Sequence, residues 1–291
     1  MFEGSFVAIV TPFKNGTVDE EGLRNLIEFQ ITNGTNGIVP CGTTGESATL
    51  DHSEHSQVIS ITVDACKGRV PVLAGTGSNS TKEAIKLTKE AEKAKADGAL
   101  LITPYYNKPT QNGLYNHFEA IAKETNLPIV LYNVPGRTSV NMLSNTVKRL
   151  SEIKNCVGIK EASGSLQQMS EIVDQCGDNF SLISGDDPLL LPILSVGGKG
   201  IISVTANVAP DKVSKLCAHA AKNEMDEARK LHFELMELNN AMFMETNPIP
   251  VKTALGLMGK IDSELRPPLS PMSEENLDSL KTVLRKYSLI S

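Results

Sequence analysis

Short apolar runs recur eight times along the chain, and each is followed by a longer segment whose apolar residues have helical spacing. The runs carry Val, Ile and Leu at successive positions, which is typical of parallel strands covered by helices on both sides. The pattern predicts strands at 6–10, 37–40, 70–74, 99–103, 128–132, 157–160, 180–184 and 200–204. It predicts helices between them at positions that include 20–33, 53–66, 81–97, 112–124, 165–176 and 211–222.

The number of strands decides between two architectures. A doubly wound sheet usually has five or six strands and a glycine-rich loop after the first, whereas in this chain a partial match to that loop, Gly-Thr-Gly at 75–77, follows the third strand. No phosphate-binding loop of the G-x-x-x-x-G-K-[ST] type occurs. A (β/α)₈ barrel allots about 31 residues to each strand–helix unit; the first five units keep close to this spacing and the last ones are shorter, so eight such units predict an α/β fold of the (β/α)₈ TIM-barrel class.

The strand pattern stops after residue 224. Three amphipathic segments follow, at 225–245, 248–258 and 273–287, with a proline-rich bend at 266–271. We therefore predict a barrel catalytic domain over 1–224 and a C-terminal helical region over 225–291. This region is expected to cover the barrel or form an interface.

Composition narrows the class of protein. The 291 residues are 40% apolar and 21% charged, with a formal net charge of −6, which is typical of a globular protein. No basic segment predicts a nucleic-acid partner, no apolar stretch reaches the ~20 residues of a membrane span, and no signal peptide is visible at the start. The five cysteines lie far apart, so we expect reduced thiols in a cytoplasmic protein and no structural zinc.

Polar side chains collect where the predicted strands end. The C-terminal ends of barrel strands carry the chemistry of this fold, because eight loops converge there. Three of the five tyrosines fall at these ends. The polar residues at the ends include Thr43, Thr44, Asn79, Tyr105, Tyr106, Tyr132, Arg137, Lys160, Asp186, Asp187, Ser203 and Asn207.

Lys160 is the most unusual of these residues. It lies inside a β-branched strand, where an unpaired lysine is rarely buried. Alternation places Gly158 and Ala162 on its face and leaves room around the amine. One interpretation is an exposed lysine paired with Glu161 or Asp187. The other is a buried amine whose pKa is lowered, which makes it a nucleophile for a carbonyl carbon.

An imine on Lys160 would act as an electron sink and give an enamine that adds to an aldehyde, without a metal or cofactor. Tyr132, Tyr106, Thr43 and Thr44 have hydroxyls suited to a proton shuttle. Tyr132 could instead pack its ring, and the threonines could cap the following segment together with Glu46.

Several other residues have a functional interpretation and a purely structural one. Arg137 offers a planar fork for a carboxylate, or a surface salt bridge. His52 and His55 have the spacing of one helix face, but no third ligand supports zinc. Asp186 and Asp187 could hold a cation, act as an acid/base pair or cap a helix. Cys41 has no histidine near it in the sequence, which argues against a catalytic thiol.

Seven motifs together closely resemble the dihydrodipicolinate synthase family, and they occur in order along essentially the whole chain. They are Gly-Thr-Thr-Gly-Glu at 42–46, Thr-Pro-Tyr-Tyr-Asn at 103–107, Tyr-Asn-Val-Pro-Gly-Arg at 132–137, Gly-Ile-Lys-Glu-Ala at 158–162, Ser-Gly-Asp-Asp at 184–187, Gly-Ile-Ile-Ser-Val-Thr-Ala-Asn at 200–207 and Glu-Thr-Asn-Pro-Ile-Pro-Val-Lys at 245–252.

The resemblance implies a Schiff-base lyase that condenses pyruvate with L-aspartate 4-semialdehyde to give 4-hydroxy-tetrahydrodipicolinate on the diaminopimelate route to lysine. It implies an imine on Lys160, a proton relay of Tyr132, Thr44 and Tyr106, and a homotetramer (a dimer of dimers) in which Tyr106 reaches a neighbouring subunit. The resemblance also assigns substrate contacts to Thr43, Thr44, Arg137, Gly185 and Ile202.

In feedback-inhibited members of this family, free L-lysine binds at the tight-dimer interface. The matching positions here are Ser47, Ala48, His52, His55, Asn79, Glu83 and Tyr105. Two alternatives remain open at this stage. One is a related retro-aldolase, such as N-acetylneuraminate lyase or a 2-keto-3-deoxy sugar-acid aldolase, and the other is a non-catalytic pyruvate or amino-acid sensor.

Overall fold

Eight parallel strands form a closed barrel in the computed structural model, which describes residues 2–291. The barrel strands are β1 (Gly4–Ala8), β4 (Gly37–Val39), β5 (Leu73–Gly75), β6 (Gly98–Ile102), β7 (Ile129–Asn133), β8 (Cys156–Glu161), β9 (Ser181–Ser184) and β10 (Gly200–Ser203). Hydrogen-bonded neighbours run in the order β4-β1-β10-β9-β8-β7-β6-β5, and a bridge between Ile38 and Val72 joins the two ends. The predicted barrel is therefore confirmed.

A two-stranded hairpin, β2 (Phe13–Lys14) and β3 (Thr17–Val18), follows β1 and was not predicted. Twelve helices accompany the strands over residues 2–291. They are α1 (Glu20–Thr32), α2 (His52–Cys66), α3 (Thr81–Lys93), α4 (Gln111–Ala122), α5 (Pro135–Thr138), α6 (Ser144–Ser151), α7 (Leu166–Cys176), α8 (Leu190–Ser195), α9 (Pro210–Ala221), α10 (Met225–Ala241), α11 (Ile249–Leu257) and α12 (Glu274–Lys286).

Local chemistry sets the helix ends. Asp51 caps α2 through a capping box with Glu54, because each side chain accepts a backbone N–H at the other's position. Helix α3 ends before the predicted limit of residue 97. Lys95 has a positive φ of 63°, and the Asp97 carboxylate accepts the backbone N–H of Val72 at 2.8 Å. That bond fixes the turn into β6.

The apolar residues form two layers. Side chains such as Phe6, Leu100, Val130 and Ile202 fill the barrel interior, while the outward-facing residues pack against the surrounding helices. Tyr132 belongs to the inner layer. Strand alternation therefore turns its neighbour across the β7–β8 ladder, Lys160, toward the same interior.

The C-terminal helices pack on the barrel's helical layer. Helix α10 contacts α9, α12 and the short 3₁₀ turn Asp187–Leu189 that follows β9. Helix α11 contacts α12. The division of the chain after residue 224 stays a prediction. Over residues 2–291, every helix falls short of the length and apolarity required to cross a bilayer.

Candidate active site

A cavity of about 440 Å³ lies at the carboxyl ends of the strands. Ala8, Val39 and Leu100 from the barrel interior contribute to its lining, as do residues from the end of α10. The structure brings six of the predicted site residues together here, namely Thr43, Thr44, Tyr132, Arg137, Lys160 and Gly185.

Lys160 reaches this cavity from β8. Its side chain is buried, and its Nζ atom lies 4.3 Å from the centroid of the Tyr132 ring. The structure thus rules out the interpretation of Lys160 as an exposed lysine at the end of its strand. Glu161 turns to the opposite side of the strand, where its carboxylate accepts hydrogen bonds from Asn133 and Gln168. It is therefore not the lysine's partner.

Burial lowers the pKa of Lys160 to about 8, because the low-dielectric surroundings disfavour its charged form. The nearby Asp187 carboxylate acts against this shift, and the Arg137 guanidinium adds to it. Gly185 provides the space: a Cβ there would lie 3.0 Å from Lys160 Cε. A lysine with this pKa has a substantial neutral fraction near pH 7, as a nucleophile requires.

Asp187 is the acidic group behind the lysine, and the sequence suggested it either as a partner of an exposed Lys160 or in a cation, acid/base or capping role. It is buried, and burial raises the pKa of its carboxyl group. Ser203 donates a hydrogen bond to one oxygen, and the Val204 N–H donates to the other at 3.0 Å. These donors hold the carboxylate in place on the wall formed by β9 and β10.

Tyr132, Thr43 and Thr44 surround the same space. Tyr132 is buried, and burial raises the pKa of its phenol, while Arg137 and a hydrogen bond with Thr43 act in the opposite direction. Thr44 is also buried. Its hydroxyl oxygen accepts a hydrogen bond from Asn247 at 3.0 Å, so its proton is left to donate elsewhere.

Asn247 is a site residue that sequence reasoning missed. Besides holding Thr44, its backbone carbonyl accepts a hydrogen bond from Arg137 Nη2 at 3.1 Å. Arg137 extends from α5 at the rim of the cavity. The motif at 245–252 contains Asn247, but the sequence offered no chemistry for an asparagine before a proline.

Glu46 and Lys252 form a second feature that was missed. Their side chains are almost fully buried, and the Nζ and Oε1 atoms lie 2.6 Å apart. Arg266 N donates to the other Glu46 oxygen at 3.1 Å, so both carboxylate oxygens are satisfied. The pair fixes the loop that carries Thr43 and Thr44 to the C-terminal helices. Glu46 was expected only to help close a turn.

Tyr106 and Ile202 lie outside this group. The Tyr106 side chain is 90% exposed and projects from the subunit, and its φ of 72° is unusual for a bulky residue. Such backbone strain is found mainly at functional positions. Ile202 is buried in the barrel interior below the cavity lining.

A second cavity of about 460 Å³ adjoins the first and shares Thr43, Tyr132 and Arg137 with it. Six of the seven residues matched to a lysine site line this cavity, namely Ser47, Ala48, His52, His55, Glu83 and Tyr105. Asn79 does not line it, but its amide donates to the carbonyl of Tyr105 at 3.2 Å.

The polar groups of the second cavity are connected. Glu83 accepts a hydrogen bond from Ser78 and pairs with His52 at 3.0 Å, and these two contacts lower the pKa of its carboxyl group. His55 Nε2 contacts the carbonyl of Gly75 at 2.8 Å, while its buried Nδ1 has no hydrogen-bond partner in the part of the chain that the structure describes. Burial lowers the pKa of this imidazole.

The structure also bears on the candidate thiol Cys41 and on metal binding. Cys41 lies beside His55 in the fold, but its buried thiol is 3.6 Å from the histidine's backbone carbonyl, and burial raises the thiol's pKa. The histidine ring itself contacts Gly75. Over residues 2–291, no group of three or more His, Cys, Asp or Glu side chains could hold a metal ion.

Comparison with known proteins gives one consistent result. Residues 1–287 match the sequence model of the dihydrodipicolinate synthetase family. A 4-hydroxy-tetrahydrodipicolinate synthase of Geotalea uraniireducens is 60% identical over 290 residues, which span all of both chains.

Two solved structures with bound small molecules are also similar to this chain. A chloride-inhibited dihydrodipicolinate synthase from Acinetobacter baumannii, complexed with pyruvate, is 47% identical over all of both chains with a TM-score of 0.98. A dihydrodipicolinate synthase from Cyanidioschyzon merolae with lysine bound is 40% identical over 99% of each chain, with a TM-score of 0.97.

Proposed function

The chain belongs to the dihydrodipicolinate synthetase family, and from that premise we propose that Lys160 carries its reaction as the amine that forms an imine with pyruvate. The enzyme is a lyase of the aldolase-like type that makes 4-hydroxy-tetrahydrodipicolinate in lysine biosynthesis. The observation that carries the assignment to Lys160 is a buried amine with a pKa of about 8 that no acidic side chain within residues 2–291 contacts directly.

The reaction then follows from ordinary carbonyl chemistry. Lys160 Nζ attacks C2 of pyruvate, and loss of the carbonyl oxygen as water gives an iminium ion. A proton leaves C3, and the resulting enamine forms a carbon–carbon bond to the aldehyde carbon of L-aspartate 4-semialdehyde. The substrate's own amine then attacks C2 and displaces Lys160, which closes the ring of the product and releases the free enzyme.

We assign the proton transfers to Tyr132 and Thr44. Tyr132 lies against the amine, and the Asn247 bond leaves the Thr44 proton free to donate. The exposure and backbone strain of Tyr106 support a role in a neighbouring subunit's site. We therefore infer that subunits associate, and we propose a homotetramer built as a dimer of dimers, as well as a location in the cytoplasm.

Arg137 is proposed to hold the carboxylate of the semialdehyde at the rim. The contact from Asn247 orients one guanidinium nitrogen and leaves others free for a carboxylate. Thr43 and Thr44 are proposed to bind the pyruvate carboxylate near Lys160, with Gly185 providing a backbone contact. A role for Ile202 would have to come from its backbone, because its side chain points into the barrel interior.

The test is a coupled assay. Purified protein receives pyruvate and L-aspartate 4-semialdehyde, and NADPH oxidation by the downstream reductase reports product formation. We expect turnover in the wild type and in Lys222→Ala, an exposed-lysine control, and none in Lys160→Ala. Turnover that survives Lys160→Ala would refute the imine, and absence of turnover with a reductase proven on authentic product would refute the substrate assignment.

We further propose that free L-lysine binds in the second cavity. Glu83 can pair with its side-chain ammonium group, and the shared Thr43, Tyr132 and Arg137 give a physical route to the catalytic cavity. The lysine-bound relative of Cyanidioschyzon merolae supports this proposal. A lysine titration of the coupled assay tests it, and activity that stays constant up to millimolar lysine would contradict it.

A further inference from the structure

Two buried amide oxygens in the catalytic cavity lack a partner. Asn239 and Asn247 are 3% and 6% exposed, respectively, and both line the cavity. The Oδ1 atom of each accepts no hydrogen bond within residues 2–291. A buried carbonyl oxygen without a donor is unfavourable by about 1–3 kcal/mol, so such atoms in a binding cavity point to a ligand that donates hydrogen bonds.

A third acceptor lies on the same side. Asp186 lines the cavity just before the 3₁₀ turn Asp187–Leu189, and α10, which carries Asn239, packs on that turn. Burial raises the pKa of the Asp186 carboxyl group, and over residues 2–291 no donor or cation contacts that group. The cavity therefore has a cation, Arg137, and a carboxylate, Asp186, in its lining.

This arrangement matches one half of the second substrate. L-Aspartate 4-semialdehyde carries a carboxylate and an ammonium group on the same carbon. If the carboxylate binds Arg137, the ammonium group needs acceptors. Arg137 donates to the backbone carbonyl of Asn247. The unpartnered side-chain oxygen therefore belongs to the same residue that contacts the guanidinium group.

We propose that the side-chain oxygens of Asn239 and Asn247, together with the Asp186 carboxylate, form a binding subsite for the α-amine of the second substrate. The subsite rests on the proposed function and adds to it the feature that selects an amino aldehyde. A sugar-derived aldehyde has no ammonium group to satisfy these acceptors. The subsite also keeps the amine in the cavity, where it must attack C2 to close the ring.

Asn239→Leu is the main test, because Asn239 makes no other polar contact among those found over residues 2–291, whereas Asn247 also holds Thr44. The variant keeps the branched shape and the number of side-chain heavy atoms and removes the acceptor. We expect kcat/KM for L-aspartate 4-semialdehyde to fall about 10- to 100-fold, the range for a lost hydrogen bond to a charged group. KM for pyruvate should stay within about twofold.

A second ligand separates recognition of the amine from general damage. 4-Oxobutanoate has the same carbon chain and carboxylate but no amine, and it competes for the same cavity. Its inhibition constant should be equal in the wild type and in Asn239→Leu. Asn239→Asp, which keeps an acceptor oxygen, should recover most of the kcat/KM, and Asn145→Leu, at an exposed asparagine of α6, is the matched control.

An equal loss of affinity for both aldehydes, no loss for either, or no recovery in Asn239→Asp would overturn the subsite. Borohydride reduction in the presence of pyruvate reports the imine on Lys160 separately. If every variant still traps pyruvate on Lys160 and the variants discriminate between the two aldehydes as the wild type does, only the amine subsite is refuted. A wild-type protein that fails to trap pyruvate refutes the proposed function itself.

Discussion

The rate of imine formation should increase as the pH is raised toward the pKa of Lys160, and it should stop changing once the pH is above that pKa. The reactive form of the lysine is the neutral amine, because only that form has a free electron pair for the pyruvate carbonyl. Burial lowers the pKa of this group from 10.5 to about 8. The rate should therefore rise while the pH is below about 8 and level off above it.

The size of the effect follows from the two pKa values. A lysine with a pKa of about 8 is neutral in about one molecule in ten at pH 7, whereas one at 10.5 is neutral in about one in three thousand. Burial thus increases the reactive fraction roughly 300-fold at that pH. Between pH 6 and pH 7 the rate should rise about tenfold, and between pH 8 and pH 9 less than about twofold.

The assay mixes enzyme with pyruvate alone, reduces the imine with borohydride after timed intervals and measures the fraction of protein with an increased mass. Lys160→Ala should form no adduct, and Lys222→Ala should follow the wild type. Arg137→Gln removes a cation that helps to lower the pKa of Lys160, so its profile should shift to higher pH. A wild-type rate that still climbs tenfold per pH unit above pH 9 would refute the reasoning, because it would mean an ordinary lysine.

Four further outcomes are expected. Lys160→Met should raise the free energy of unfolding by about 3 kcal/mol below pH 8, because the folded wild type holds a disfavoured charge there. In urea titrations this difference should decrease between pH 8 and pH 10.5 and then vanish, and an unchanged urea midpoint at pH 7 would contradict the prediction. Lys252→Met should lower that free energy by about 3–5 kcal/mol by leaving Glu46 buried and unpaired, and adding Glu46→Gln should restore part of it. Tyr106→Phe should lower kcat about a hundredfold, and co-expression with Lys160→Ala subunits should restore part of the activity, because in a mixed pair the site that keeps Lys160 receives an intact Tyr106 from its neighbour; no restoration would argue against a shared site. Glu83→Gln should raise the lysine concentration needed for half-inhibition, with each protein normalised to its own uninhibited rate, and an unchanged value would exclude Glu83 as the ammonium partner.

The barrel could be predicted because its signal is local. Apolar runs on both faces of short strands, separated by helical spacing, reflect burial of each strand against neighbours on either side. The same logic located the strand-end polar residues and Lys160. The hairpin of β2 and β3 was not predicted, because strands of two residues are too short to produce a recognisable periodicity.

The contacts that complete the site could not be predicted from the sequence. Asn247 meets Thr44 across a separation of 203 residues, and Lys252 meets Glu46 across 206. No periodicity connects positions so far apart, and a lysine in an apolar helix resembles one at a helix surface. The role of Tyr106 could not be predicted for a different reason. The site it is proposed to complete lies on another subunit, and no local sequence pattern indicates a contact between subunits.

The buried pair of Glu46 and Lys252 sets a condition on protein synthesis. A nascent chain that has left the ribosome only through β10 contains every barrel strand and the imine-forming lysine. Its Glu46 carboxylate still lacks the cation that makes burial tolerable, so the Thr43–Thr44 loop has no reason to settle in the cavity wall. The active centre can therefore be completed only after residue 252 has left the ribosome, and a ribosome stalled earlier would display a barrel without an organised pyruvate site.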